Sequence, residues 1–399
     1  MKSKPTTYKK DFGAIPIPRK HIILMDGTWN DESGTKSSGL VTNIVHLKNI
    51  FRNDDGSQIV RYHRGVGNDN DNSFWFQILR GMAGKGIEEI VENAYYRFVQ
   101  DWRPGDEIFI FGFSRGAAAA RMLAAQIEKL GVPEEITITL RAVQNRETRV
   151  VENKIDHVNI PVNCERQKVD IEFLGVWDTV SAFGFWNNLL KHFKQTVQDH
   201  FHNYNVASNV KKAVHIVGID ETRNTFKPAL MNMEDKVTEV WFPGVHSDVG
   251  GSYVEDELAK LSLDFMIKTM LKVTGKSLIE FDVNESMLSR FTINFYPRII
   301  EGEKPNLTNT VHFHYHGYGF WSGKSLRNIR VIKKNKKTTL KPKVHKLYSQ
   351  LSKSAETVAV TEKKKWWTSK VTVMKSRFQY LPINVKALGE PGEGFEVVE

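Results

Sequence analysis

The sequence has very little cysteine and no long apolar segment, and each absence excludes a class of protein. Cys164 is the only cysteine among 399 residues, so neither a disulfide framework nor a cysteine-based zinc site is expected. No apolar run approaches the ~18–20 residues that cross a bilayer, and residues 1–20 contain no apolar stretch typical of a secretory signal. We therefore expect a cytoplasmic protein, membrane-associated when active or exported without a classical signal peptide.

The composition is that of a folded protein, and its charge is concentrated in one segment. Hydrophobic residues make up 40% and aromatic residues 11% of the chain, which excludes general disorder. The net charge is +10. Between Ser322 and Arg377, 17 Lys and Arg face two acidic residues, a net charge of +15, so the rest of the chain carries −5. The basic character therefore belongs to one segment and needs its own explanation.

Three explanations of the basic segment stay open. The clusters Lys333–Lys337 and Lys363–Trp367 are typical of a surface that binds anionic lipid, where tryptophan favours the interface. They are also compatible with nucleic-acid binding by counterion release and base stacking, or with a solvated surface. Composition alone does not distinguish a membrane from nucleic acid as the partner of residues 325–377, and it does not predict the oligomeric state.

Apolar strands alternate with amphipathic helices over most of the chain. This alternation predicts an α/β fold with a mostly parallel, doubly wound sheet covered by helices on both faces. Strands are predicted at 21–25, 58–63, 107–111, 170–177, 214–219 and 237–245, and helices at 41–51, 87–102, 117–130 and 258–273. The predicted organisation is a polar N-terminal tail (1–18), a main α/β domain (19–324), the basic segment (325–377) and a C-terminal return with an acidic tail (378–399).

The most informative motif is a G-x-S-x-G elbow at Gly112–Gly116. A buried strand leads into it and an alanine-rich helix follows, which is the context that this motif requires. Glycines two residues on either side of Ser114 would let strand and helix pass closely. The elbow makes Ser114 a candidate nucleophile, with helix capping as the alternative role.

A serine nucleophile needs a base and an orienting carboxylate, which on such sheets follow later strands. Asp178 and His246 each come directly after a predicted strand, where ligands bind in open α/β sheets. We predict them as orienting acid and base. A turn or cap role for Asp178, a structural role for His246, and Asp248 as the orienting carboxylate are the alternatives.

Backbone groups are predicted to stabilise the oxyanion, and no cofactor or metal is expected. The donors would be the N–H groups of Gly27, in the turn after the first predicted strand, and of Arg115, at a helix N-terminus. The acidic loop Asp69–Asn72 lacks EF-hand spacing, and His200 and His202 have no further ligand at useful spacing.

Six sequence blocks, in order between residues 20 and 275, resemble one family. They are Asp26–Trp29, Gly65–Gly67, Pro104–Ala117, Gly175–Val180, Asp220–Arg223 and Trp241–Gly251. They resemble the DUF2235 α/β-hydrolase family, which includes the catalytic domain of type VI secretion Tle1-type phospholipase effectors. The resemblance implies an α/β-hydrolase-like fold for a catalytic domain at residues 19–324. It also implies carboxylic-ester hydrolysis, with phospholipids as substrates, and a triad at Ser114, Asp178 and His246.

The predicted function is therefore a serine hydrolase, most consistent with a phospholipase that forms an acyl-enzyme. Together with such a site, the basic segment at residues 325–377 favours a phospholipid membrane as partner, and nucleic acid becomes the weaker alternative. A soluble carboxylesterase with a non-membrane acyl substrate and a nucleic-acid-binding module with a degenerate hydrolase core are the alternatives. An enzyme that damages membranes would need restraint in the cell that makes it. A regulatory or immunity protein is accordingly a predicted partner.

Overall fold

An eight-stranded parallel sheet forms the centre of the protein, as seen in a computed structural model. The structure describes residues 2–14, 16–27, 41–51, 56–65, 83–144, 151–180, 205–253, 256–275, 325–333, 340–349, 357–363, 370–376 and 383–399.

The described strands and helices follow in chain order. The strands are β1 (Thr6–Lys9), β2 (Lys20–Met25), β3 (Gln58–His63), β4 (Glu107–Phe113), β5 (Val132–Pro133), β6 (Glu135–Gln144), β7 (Val151–Asn159), β8 (Arg166–Gln167), β9 (Phe173–Trp177), β10 (Ala213–Gly218), β11 (Asn232–Met233), β12 (Val237–Phe242), β13 (Ile332–Lys333), β14 (Lys343–His345), β15 (Thr357–Lys363), β16 (Lys370–Ser376) and β17 (Glu396–Val398). The helices are α1 (Asn43–Ile50), α2 (Ala83–Asp101), α3 (Arg115–Leu130), α4 (His246–Gly250), α5 (Glu257–Thr274) and α6 (Ile383–Lys386), with a 3₁₀ turn at Asn224–Phe226.

The strand order of the central sheet is β17-β14-β12-β10-β9-β4-β2-β3, and all its described pairs are parallel. Strand β2 pairs with β4 with Ile23 opposite Ile110, and β4 pairs with β9 with Phe113 opposite Trp177. Because parallel strands all end at the same edge, the loops after β4, β9 and β12 meet there. This edge carries the candidate site.

Both faces of the sheet are covered, as the strand sequences require. Ile22 and Leu24 of β2 pack into a core with α1 and α5. Ile23 and Met25 pack on the other face with α2 and α3. Alternate side chains of a strand point to opposite faces, so a strand that is apolar at every position needs helices on both sides. The predicted fold class is confirmed.

Some elements lie where the sequence did not predict them. Residues 6–9, within the predicted N-terminal tail, form β1, which pairs antiparallel with β6 and, through it, with β7. Lys343–His345, within the basic segment, forms β14 and joins the central sheet between β12 and β17. Strand β12 ends at Phe242, earlier than predicted, because Pro243 cannot donate to the ladder and Gly244 turns the chain with φ +106°.

Candidate active site

Ser114 lies in the sharp turn between β4 and α3, with φ 60° and ψ −120°, a conformation rare outside glycine. The turn is held in place because Ser114 N–H donates to the Trp177 carbonyl of the neighbouring strand over 3.0 Å. Strand and helix pass so closely that a Cβ on Gly112 would lie 2.5 Å from the carbonyl oxygen of Gly116. The Ser114 side chain makes no capping hydrogen bond to α3. Ser114 therefore occupies the N-cap position of α3, but its hydroxyl does not cap the helix.

His246, at the start of α4, contacts both other residues that the sequence predicted for the site. Its Nε2 lies 2.9 Å from Ser114 Oγ, and its Nδ1 lies 2.6 Å from Asp178 Oδ2. An ionised carboxylate only accepts, so Nδ1 carries the proton and Nε2 accepts from the Ser114 hydroxyl. All three residues are buried. The structure thus brings together side chains from the loops that follow β4, β9 and β12.

Asp178, and not Asp248, is the carboxylate at His246 Nδ1. Asp178 follows β9 with φ 40° and is held by Gly218 N–H, which donates to its Oδ1 over 3.0 Å. Asp248 Oδ2 instead accepts from Val245 N–H over 2.9 Å, within its own turn. The sequence left both carboxylates open, and the tertiary structure distinguishes them.

Arg327 also belongs to this site, and sequence reasoning missed it. Its Nη1 donates to Asp178 Oδ1 over 2.6 Å and its Nη2 donates to Asp178 Oδ2 over 2.8 Å. The residue is only 5% exposed. It comes 149 residues after Asp178, within the segment whose positive charge was interpreted as surface charge. Nothing in its local sequence separates a buried arginine from a solvated one.

The electrostatics of the site favour an ionised aspartate and a neutral histidine. Burial alone would raise the pKa of Asp178, but the charge and hydrogen bonds of Arg327, with the bond from His246, hold that pKa well below its usual range. Burial lowers the pKa of His246 below its ordinary value, and the hydrogen bond and charge of Asp178 oppose this only in part. A neutral imidazole is the form that can accept a proton from Ser114.

Aromatic rings and an ion pair enclose the imidazole. Phe113 stacks on His246 with ring centroids 4.7 Å apart, and Phe226 meets it edge-on at 4.8 Å. The Arg223 guanidinium lies 3.7 Å from the centroid of the Phe226 ring and pairs with Glu221 over 2.7 Å. Burial acts to raise the pKa of Glu221, but Arg223 outweighs it and brings the pKa to about 2. Glu221 also accepts from the backbone N–H of His246 over 3.3 Å.

The turn after β2 packs directly against the elbow. A Cβ on Gly116 would lie 2.2 Å from the carbonyl oxygen of Met25 and 2.5 Å from that of Asp26, so Gly27 lies close to the N-terminus of α3. The N–H of Gly27 donates to Asp26 Oδ1 over 2.6 Å. The N–H of Arg115 lies in the first turn of α3, where backbone donors have no acceptor within the helix.

Metal ligands and membrane helices are not found in the part of the chain that the structure describes. Its His, Cys, Asp and Glu side chains form no group of three or more that could hold a metal ion. Asp69–Asn72, His200 and His202 lie outside the described residues. Among the helices from α1 to α6, each is too short or too polar to cross a bilayer.

The fold and the site together define the class of protein. A parallel sheet covered on both faces, a strained serine in a strand–helix turn, and Asp and His from later loops in that order are the features of an α/β hydrolase.

The family is shown by the sequence match. Residues 19–269 match the family described as the catalytic domain of type VI secretion phospholipase effectors, Tle1-like, and the chain belongs to this family. The resemblance inferred from the six sequence blocks is confirmed.

Several known proteins are similar to this chain. An uncharacterized protein of Saccharomyces cerevisiae is 28% identical over 232 residues, which are 52% of this chain and 32% of that protein. The chain thus spans about a third of the length of the curated relative that it matches. A solved but uncharacterized protein from Pseudomonas aeruginosa is 19% identical, with 64% of this chain and 46% of that one covered and a TM-score of 0.39. A Tle1 effector bound to the VgrG spike of the type VI secretion system is 20% identical, with 60% and 52% covered and a TM-score of 0.35.

Proposed function

We propose that this chain is a serine hydrolase that cleaves carboxylic esters, with membrane phospholipids as its substrates. Ser114 is the nucleophile, His246 the general base, and Asp178 the residue that orients His246. The observation that carries the proposal is the continuous contact from Asp178 Oδ2 to His246 to Ser114 Oγ, over 2.6 and 2.9 Å.

The first half of the reaction forms an acyl-enzyme. His246 Nε2 takes the proton of Ser114 as Oγ attacks the ester carbonyl carbon, and Asp178 stabilises the imidazolium that results. When the tetrahedral intermediate collapses, the bond to the alcohol oxygen breaks, and His246 gives its proton to that oxygen. The alcohol leaves and the acyl group stays on Ser114.

The second half releases the acid. His246, now neutral, takes a proton from a water molecule, whose oxygen attacks the acyl carbon. The collapse of this second intermediate breaks the bond to Ser114 Oγ, which recovers its proton from His246. The chain ends each cycle as it began, so the triad itself needs no added metal or cofactor.

Negative charge on the carbonyl oxygen is held by backbone donors in the proposed mechanism. The N–H of Arg115 at the start of α3 is one donor, favoured by the helix N-terminus. The N–H of Gly27 is the second, and its 2.6 Å bond to Asp26 would be exchanged for the oxyanion. Removal of one such donor typically costs about 10²–10³ in kcat.

Phospholipid is proposed as the substrate because of the family and of the charge distribution. The family's description names phospholipase effectors, and the excess of 17 Lys and Arg over two acidic residues between 322 and 377 suits an anionic membrane surface.

A soluble carboxylesterase is the second candidate. One observation favours it: Arg327 and strand β14 lie in the core and the central sheet, so part of the basic segment serves the fold without any membrane. The contact from Asp178 through His246 to Ser114 argues against the third alternative, a degenerate core that binds nucleic acid.

Partners and location follow from the family as proposals. We infer a cytoplasmic protein that is exported as an effector or acts at a membrane surface. A protein that restrains or carries it, as VgrG is bound to the Tle1 effector of known structure, is the expected partner.

Replacement of Ser114 by alanine tests the proposal. Ser114→Ala should lower ester hydrolysis by at least about 10³-fold, since the nucleophile is lost while the surroundings of the site remain. Hydrolysis is measured with a short-chain chromogenic ester and, by mass spectrometry of the products, with phospholipid vesicles. A fluorophosphonate probe should label the wild-type chain and leave the variant unlabelled.

Ser57→Ala is the matched control. Ser57 is exposed and precedes β3 at the opposite edge of the sheet, so this variant should keep wild-type activity and labelling. If Ser114→Ala hydrolyses the short-chain ester as fast as Ser57→Ala, the proposed mechanism is wrong.

A further inference from the structure

Arg327 reaches the candidate site from outside the part of the chain that matches the family. The match ends at residue 269, and the segment that carries Arg327 is described from residue 325 to 333. Its position there has a second support, because the Asn384 side-chain amide donates to the Arg327 carbonyl over 3.3 Å and to that of Ile219 over 3.0 Å. The C-terminal part of the chain therefore builds this side of the site.

The guanidinium forms a fork on the aspartate and is tied to the backbone on both sides. Besides the two bonds to Asp178, Nη1 donates to the Gly218 carbonyl and Nη2 donates to the Phe226 carbonyl, each over 2.6 Å. A bidentate pair fixes the plane of a carboxylate as well as its charge. The carboxylate plane decides whether Oδ2 faces His246 Nδ1.

We propose that Arg327 is a positioning residue for the hydrolysis, which holds Asp178 ionised and turned toward His246. The inference rests on the proposed function and deepens it, since it assigns a role in the site to a residue beyond the family match. A buried ion pair contributes little net stability compared with an apolar pair of the same size. Orientation of the aspartate is the function that this arrangement serves.

Arg327 also acts on His246, and it does so through the charge of Asp178. The charged groups that face the His246–Asp178 pair are Glu221, Arg223 and Arg327. In the wild type, the positive charge of Arg327 compensates Asp178, which limits how far that carboxylate stabilises the imidazolium. Without Arg327, the uncompensated Asp178 raises the pKa of His246 above its value in the wild type. As the pH is lowered, His246 then becomes protonated, and inactive as a base, at a higher pH than in the wild type.

The experiment compares Arg327→Gln, Arg327→Lys and Arg330→Gln, each with the soluble short-chain ester. Arg330 lies on the same segment but is exposed, so Arg330→Gln is the matched control and should retain wild-type values. Arg327→Gln should lower kcat by about 10–100-fold at the pH optimum, leave KM within about threefold, and move the acidic limb of kcat/KM up by about one pH unit. Arg327→Lys keeps the charge and loses the fork, so it should lower kcat about tenfold with the acidic limb unmoved.

Wild-type kcat and an unmoved acidic limb in folded Arg327→Gln would overturn the inference. If that variant does not fold, Arg327→Lys decides: wild-type kcat there shows that the fork does not position Asp178. A lower kcat with an unmoved acidic limb in Arg327→Gln would show that Arg327 has a structural role only, and would also overturn the inference. Failure of the proposed function is recognised separately, because Ser114→Ala would then hydrolyse the same ester as the wild type does.

Discussion

Ser114 and Asp178 both have positive φ, 60° and 40°, although neither is glycine. Such conformations cost of the order of 1–3 kcal/mol each and persist where the neighbours fix them. The backbone at Asp178 is fixed by the next residue, because Thr179 N–H donates to the buried His215 Nε2 over 3.2 Å. His215 Nδ1 contacts Glu239 over 2.8 Å, so its proton lies on that nitrogen. Backbone strain is thus stored at Ser114 and Asp178, the two residues whose side chains contact His246.

The pH dependence of hydrolysis should follow His246. Burial lowers the pKa of His246 below its ordinary value of 6.5, and the neutral form is the base in the proposed mechanism. The proposed activity should therefore be present above that pKa and be lost as the pH falls through it. We expect the acidic limb of wild-type kcat/KM to lie below pH 6.5, as measured with a neutral soluble ester from pH 4 to 9.

A neutral substrate matters here because its own protonation does not change over this range. The control is the free energy of unfolding at each pH, which excludes loss of fold as the cause. An acidic limb clearly above pH 6.5 would contradict the burial of His246 between Phe113 and Phe226.

The turn after β2 and the start of α3 approach so closely that only glycine fits at position 116. A Cβ there would lie 2.2 Å from the Met25 carbonyl oxygen, and backbone cannot move aside as a flexible side chain can. Gly116→Ala should therefore destabilise the chain by about 1–3 kcal/mol. It should also lower kcat, since α3 carries Arg115 N–H and follows Ser114 directly. Urea unfolding and ester hydrolysis measure the two effects.

Lys129→Ala, at the exposed C-terminal end of the same helix, is the control for Gly116→Ala. It should change the free energy of unfolding by less than about 0.5 kcal/mol and leave kcat unchanged. Equal stability of the two variants would mean that β2 and α3 do not pack as closely as described.

Local sequence predicted the buried elements well and the half-exposed ones poorly. Strand β4 is continuously apolar, as a strand with both faces buried must be. Helix α3 is rich in small residues and is mostly buried. Strand β6 alternates polar and apolar residues over its first six positions, and β7 is mostly polar. Such strands form only when they pair with a neighbour, as β6 does with β1, where Thr6 lies opposite Ile138. Residues so far apart in the chain leave no pattern in the local sequence that predicts their pairing.

Part of the basic segment belongs to the core and the central sheet. Arg327 is buried at Asp178 and Lys343 begins β14 within the central sheet. Lys364–Trp367, which include both tryptophans of the predicted membrane cluster, lie outside the described residues. This cluster therefore remains a prediction from the sequence.

Neutralising that cluster should separate membrane binding from catalysis. The triple variant Lys363→Gln, Lys364→Gln and Lys365→Gln should weaken binding to phosphatidylglycerol vesicles, since each lysine near an anionic surface contributes about 1 kcal/mol. Hydrolysis of the soluble ester should stay at the wild-type rate. Vesicle co-sedimentation and the ester assay measure the two properties.

Vesicles of neutral phosphatidylcholine serve as the control, because the charge effect should disappear on them. A triple variant that binds and hydrolyses anionic vesicles as the wild type does would favour the soluble carboxylesterase. Binding to short DNA, reduced in the same variant and sensitive to salt, would favour a nucleic-acid partner for this cluster.

The sequence by itself determined the α/β-hydrolase fold and named Ser114, Asp178 and His246, because each lies beside a strand whose pattern is local. Tertiary structure alone decided that Asp178 rather than Asp248 meets His246, and that Arg327 holds this aspartate. The physical reason is the distance along the chain. Contacts across 68 and 149 residues depend on which strands are neighbours in the sheet, and a net charge of +15 between Ser322 and Arg377 does not reveal which of its arginines is buried.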